Sequence, residues 1–214
     1  MPTIWLKTIQ ATDLTKANSS LSADDLQLLQ HALVLGAKVL KGYLGQIIAA
    51  ARLGGSNQAE VKLDPTDSQV GSSDMLVYIT TSSLARDFAA RNNYTLSGGS
   101  PDGITAPFPE GALSEIFFPS IKRYGSDDTH RGTVLANLAI HEIAHNKCCG
   151  DPSIANQNDY VHQNGGGGLL GLPIMPALLR GGSLNAANIS FIASRIGNAV
   201  PQLKSYLVSS QLGF

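Results

Sequence analysis

Apolar and polar positions alternate along the chain in blocks whose period changes. Between Thr3 and Ile9 the residues Ile4, Leu6 and Thr8 alternate with Trp5, Lys7 and Ile9, which predicts a first strand. From Leu26 the period lengthens. Leu26, Leu29, Leu33, Ala37, Leu40, Leu44 and Ile47 recur every three or four residues, one continuous apolar stripe on a helix. Ser22 stands ahead of the stripe as an N-cap with Asp25 three residues on, and Gly54-Gly55 closes it. About thirty helical residues, roughly 45 Å, are expected. His31 falls off the stripe and reads as a surface histidine.

Glu60 to Leu63 predicts a short strand, and Met75 to Thr80 (MLVYIT) a buried one. Residues 93 to 111, rich in Asn, Gly, Ser and Pro, predict a loop or a hairpin. Leu113 to Ile121 (LSEIFFPSI) reads as a further strand, placed at an edge or ended by Pro119. A turn at Ser126-Asp127-Asp128 leads into a helix from about Gly132 to Lys147. Gly, Pro and Asn dominate residues 150 to 183, and a last helix from the Ser183 cap carries Ile189, Ile192, Ile196 and Val200 on one face. The expected class is α+β in a single domain over residues 1–214, with an N-terminal lobe (1–149) and a smaller C-terminal lobe (150–214).

Composition narrows the possibilities. The 214 residues carry 15 basic and 16 acidic side chains, a formal net charge of −1, and only 14% charged residues, against roughly 25% in ordinary soluble domains. Disordered chains, coiled coils and collagen-like repeats are excluded. No basic stripe points to nucleic acid, and no charge bias points to an acidic membrane. The expectation is a soluble protein, cytoplasmic or secreted by a route not visible in the sequence, since no apolar stretch reaches the roughly 20 residues of a membrane span and the N-terminus lacks a signal-peptide pattern; a monomer is expected. Cys148 and Cys149 are the sole cysteines and are adjacent, so no disulfide framework is expected. The run Gly165 to Gly168 lacks the G-K-[ST] ending of a phosphate loop.

Candidate chemistry lies in Ala139-Ile140-His141-Glu142-Ile143-Ala144-His145, an H-E-x-x-H sequence in an apolar helical setting. Residues i and i+4 share a helix face, so both imidazoles can reach one zinc ion. Glu142 lies about 100° round the helix from His141, placed to take a proton from a metal-bound water. A catalytic zinc takes three protein ligands. No glutamate follows Glu142, which excludes a third ligand of that type; Asp151, Asp159, His162, Cys148 and Cys149 remain. His130 reads as a surface or helix-start residue.

With Met175 in Leu172-Pro173-Ile174-Met175-Pro176 and a C-terminal helix after it, these residues resemble the metzincin clan of zinc peptidases. The order of strand, long backing helix, strands, active-site helix, Met-turn and final helix is similar to the clan's. The resemblance implies a mixed β-sheet with a long backing helix, an active-site helix, and a C-terminal lobe holding the Met-turn. Cys148 stands where the clan has a turn glycine, and Asp151 stands at its third-histidine position. Asp151 has the better spacing and His162 the commoner ligand chemistry. A helix running on past Lys147 would carry Asp151 out of register, so His162 is the expected third ligand, ahead of Asp151 and the two cysteines. The resemblance implies a zinc-dependent endopeptidase with Zn2+ on His141 and His145, to which ligand chemistry adds His162. Glu142 would be its general base, Met175 an apolar floor and Tyr160 a candidate oxyanion donor. A peptide or protein substrate could pair with the strand near Ile116 to Phe118. A non-proteolytic zinc-binding regulatory or interaction domain is the alternative.

Overall fold

The computed structural model describes residues 3–9, 21–50, 60–63, 69–71, 74–81, 84–96, 102–108, 111–149 and residue 189. In chain order these form β1 (Thr3–Ile9), α1 (Ala23–Ala50), β2 (Glu60–Leu63), β3 (Met75–Thr80), α2 (Leu84–Arg91), β4 (Gly103–Phe108), β5 (Gly111–Phe117), α3 (Phe118–Tyr124) and α4 (Asp128–Cys149). The architecture is mixed α+β around one five-stranded sheet of order β2-β1-β3-β5-β4. Strands β2, β1, β3 and β5 run parallel, and β4 lies antiparallel to β5 at an edge.

Strand alternation divides the apolar residues between two faces. Ile4, Leu6, Met75, Val77, Ile79 and Ile116 face α1 and α4 and form the larger core. Trp5, Leu76, Tyr78, Leu113, Ala106 and Phe108 face the other way, with Leu84, Ala85 and Ala89 of α2 over them. Both faces are covered, which is why β3 is buried at every position. Asp74 ties the start of β1 to β3, accepting from the Thr3 amide at 2.8 Å and from Trp5 Nε1 at 2.9 Å.

Helix α1 begins as its cap predicts, with the Asp25 amide donating to Ser22 Oγ at 3.1 Å. Leu29, Leu33, Leu40, Leu44 and Ile47 of the stripe are buried. The same helix corrects one expectation. An 18-residue window of it has mean hydropathy 1.3, so α1 is long and apolar enough by length and composition to cross a membrane. Apolar residues outside the predicted stripe (Val34, Leu35, Val39, Ile48) raise the mean, and in this fold Ala32, Gly36 and Tyr43 join the stripe in the buried face of the helix. His31 is exposed, as expected, with Nδ1 3.0 Å from Asp128 of α4.

Helices α1 and α4 meet through glycine. A Cβ on Gly36 would stand 2.9 Å from the Gly132 carbonyl oxygen, and one on Gly132 would stand 3.0 Å from the Gly36 amide nitrogen. The two backbones touch at that crossing, and no side chain fits between them.

Three expectations are corrected. The strand predicted over Leu113–Ile121 spans Gly111–Phe117, and Pro119 sits in the first turn of α3, where a missing N–H costs nothing. Of the two placements expected, the strand ends ahead of Pro119 and is not an edge, because β3 and β4 flank it; the edge on that side is β4, which emerges as the first arm of the hairpin expected in residues 93–111. The helix predicted from Gly132 begins at Asp128, because Asp127 caps it. The Ser183 helix, the Met-turn and residues 150–183 lie outside the described residues. Ile189 is helical and packs, partly buried, on the larger core.

Candidate metal and general-base site

Helix α4 carries the site. Asp127 Oδ1 accepts the His130 amide at 2.8 Å, and this bond holds the exposed Asp127 carboxyl below its ordinary range. His130 belongs to that first turn, with Nδ1 3.1 Å from Ser126 Oγ. Further along, Val134, Leu135, Ala136, Leu138, Ala139, Ile140 and Ile143 are all buried, so the helix is wrapped by protein on every side. Asn137, one turn before His141, accepts from the buried Tyr43 hydroxyl of α1 at 2.8 Å. Polar side chains on such a helix need partners, because an unsatisfied buried group costs about 1–3 kcal/mol.

His141 and Glu142 are buried together, 6% and 2% exposed. His141 Nε2 lies 4.0 Å from Glu142 Oε1. The other carboxylate oxygen, Oε2, accepts a 2.7 Å hydrogen bond from the Thr105 hydroxyl of β4. Thr105 Oγ1 also lies 3.0 Å from the Glu142 carbonyl oxygen and 3.0 Å from Ser114 Oγ, its cross-strand neighbour on β5. Gly103, two residues before Thr105 on the same face, leaves room for the carboxylate: a Cβ there would come within 2.5 Å of Oε1. The edge strand thus lies across the H-E-x-x-H helix, and two of its residues shape the space around Glu142.

A second buried carboxylate lies behind the same hairpin. Glu115 follows Ser114 on β5 and so points to the opposite face. Its oxygens accept the amides of Leu84 at 2.8 Å and Ala85 at 3.0 Å, and the Thr80 hydroxyl at 3.2 Å. It binds the N-terminus of α2, where backbone N–H groups have no partner within the helix.

The sequence places His145 one helical turn beyond His141, and α4 continues helical through Lys147, Cys148 and Cys149. The side chains of residues 144–149 lie outside the described residues, as do Asp151, Asp159, Tyr160, His162 and Met175. Among the described residues no group of three His, Cys, Asp or Glu side chains converges. What is described fits a zinc site in kind: a buried imidazole beside a buried carboxylate on one helix.

No protein-family model matches the chain, and no curated protein or solved structure matches it. The site's function is therefore argued from its own residues. Thr105, Gly103 and Glu115 escape a reading of the sequence, because nothing local to them marks their partners 30 to 39 residues away. One pattern near them was informative: a Gly- and Pro-containing segment (Gly103–Phe108) ahead of a β-rich run, consistent with an edge strand.

Proposed function

We propose that this chain is a zinc-dependent endopeptidase with a metzincin-like site, in which His141 and His145 hold the metal and Glu142 is the general base. The observation that carries the reading is the buried His141–Glu142 pair on a helix crossed by an edge strand. Zinc, when bound, would lower the pKa of a water and polarise the scissile carbonyl. Glu142 would take the water's proton and return it to the leaving amine. His162 is proposed as the third ligand, with Asp151 as the competing choice.

The substrate is proposed to be an extended peptide added to the outer edge of β4, since β5 occupies the inner one. This replaces the strand near Ile116 to Phe118 as the pairing element, because β5 has neighbours on both sides and Phe118 starts α3.

One observation favours the non-proteolytic alternative: the Glu142 carboxylate is only 2% exposed. A single experiment separates the two. Zinc content and casein hydrolysis are measured for the full chain and for Glu142→Ala, with and without chelator. The peptidase reading expects bound zinc in both proteins and chelator-sensitive hydrolysis in the parent alone. Zinc binding without hydrolysis in the parent would leave the regulatory-domain reading.

A further inference from the structure

The edge strand does more than cross the site helix. Thr105 has one hydroxyl proton and three oxygens around it, at 2.7 Å (Glu142 Oε2), 3.0 Å (Ser114 Oγ) and 3.0 Å (Glu142 carbonyl). The carboxylate oxygen is the nearest and the strongest acceptor, so the proton goes there. Ser114, fully buried and directly opposite Thr105 in the register, can then donate to the Thr105 oxygen. The two hydroxyls form a short chain from the sheet to the carboxylate, each polarising the next.

A glutamate's last torsion is broad and roughly two-fold, so an untethered carboxylate interchanges its oxygens and samples many tilts. Here Oε2 is tied to the sheet. Oε1 is the oxygen beside His141, and Gly103 is the residue whose missing side chain keeps that space open.

We infer that Thr105 is a positioning residue for Glu142: it fixes Oε2 so that Oε1 is the oxygen that exchanges the proton. Ser114 orients the Thr105 hydroxyl from behind. The inference rests on the peptidase reading above and assigns each carboxylate oxygen a separate task. Holding a reacting group in a productive geometry is worth far more than the stability of the contact itself, since a displacement of about 1 Å can cost about 100-fold in rate.

The test compares the zinc-loaded parent with Thr105→Val and Thr105→Ser. Valine keeps the branched shape and removes the hydroxyl; serine restores it. Thr105→Val is expected to lower kcat about 10- to 100-fold with KM and zinc stoichiometry unchanged, and Thr105→Ser to recover most of the loss. A second measurement needs neither zinc nor activity. In the metal-free protein, a double-mutant cycle of Thr105→Val and Glu142→Ala should show non-additive unfolding, with the folding constant departing about threefold or more from the product of the single effects. Parental kcat in Thr105→Val, or no recovery with serine, or additive unfolding, overturns the inference. A parent that binds zinc and hydrolyses nothing overturns the peptidase reading and this inference together. The cycle then still reports whether the Thr105–Glu142 bond exists, so the two failures are distinguishable.

Discussion

Glu115 and Glu142 are both buried carboxylates against the β4–β5 hairpin, one on each face of the sheet, and they are held in opposite ways. Glu115 is surrounded by donors: two backbone amides and a hydroxyl share its two oxygens. Glu142 has a hydroxyl on one oxygen and an imidazole 4.0 Å from the other. A carboxylate satisfied on every side is a structural tie, because moving it breaks several bonds at once. One that is tied to a strand through Oε2 and sets Oε1 beside an imidazole is placed next to the candidate metal ligand. The contrast distinguishes the two glutamates more sharply than burial does, since both are nearly inaccessible.

The largest effect should come from Glu142. Glu142→Gln is expected to reduce hydrolysis by about two to four orders of magnitude while changing unfolding free energy by less than about 1 kcal/mol, because the amide oxygen can still accept from Thr105. Assay and denaturant melts of the same preparation check both halves. Glu115→Gln should do the reverse. Its new NH2 would face amide donors, costing about 2–3 kcal/mol of stability, with kcat of the folded fraction held near the parent's. If it abolishes kcat at full folding, the division of labour between the two carboxylates is wrong.

Gly103→Ala is the next probe, because its Cβ would crowd Glu142 Oε1 and also stand 2.9 Å from the Glu115 carbonyl oxygen. Overpacking of this kind costs about 1–3 kcal/mol, and kcat should fall with it as the carboxylate is pushed aside. Thr80→Val removes one of the donors to Glu115 and should cost about 1 kcal/mol with no change in kcat. Chemical melts and steady-state kinetics read both.

A pH effect is expected on the α1–α4 side. Burial raises the Tyr43 hydroxyl above its ordinary value of 10.0. A raised acid pKa means that the folded state favours the neutral phenol. Its stability contribution is therefore complete below the unfolded value and is lost as pH rises through the folded one. Tyr43→Phe should flatten the alkaline decline in unfolding free energy. It should also cost about 1 kcal/mol at neutral pH by removing the bond to Asn137.

Much of the frame was legible because its signals are local. The alternation at Thr3–Ile9, the β-branched run at Met75–Thr80 and the capped stripe from Ser22 each depend on neighbours a few residues apart, and the strands and helix follow them. H-E-x-x-H was legible for the same reason. Helix α2 was not: Leu84, Ala85, Phe88 and Ala89 do repeat at helical spacing, but eight residues make only about two turns, too few to nucleate alone, and its N-terminus is bound by Glu115, 31 residues downstream. Pro119 marked the end of a strand but not the helix after it, because a proline ends a strand and starts a helix equally well, and here it does both at one junction. Thr105 was invisible because its role depends on register: it faces Glu142 only because β4 pairs Thr105 with Ser114.

The glycine crossing of α1 and α4 acts as a fulcrum. His141 stands nine residues beyond Gly132, about 14 Å along the helix axis. With both backbones in contact there, a tilt of about 5° would swing the imidazole by roughly 1 Å, the scale of misplacement that costs an enzyme about 100-fold. Two hydrogen atoms in place of side chains at Gly36 and Gly132 thus set the aim of a residue two and a half turns away.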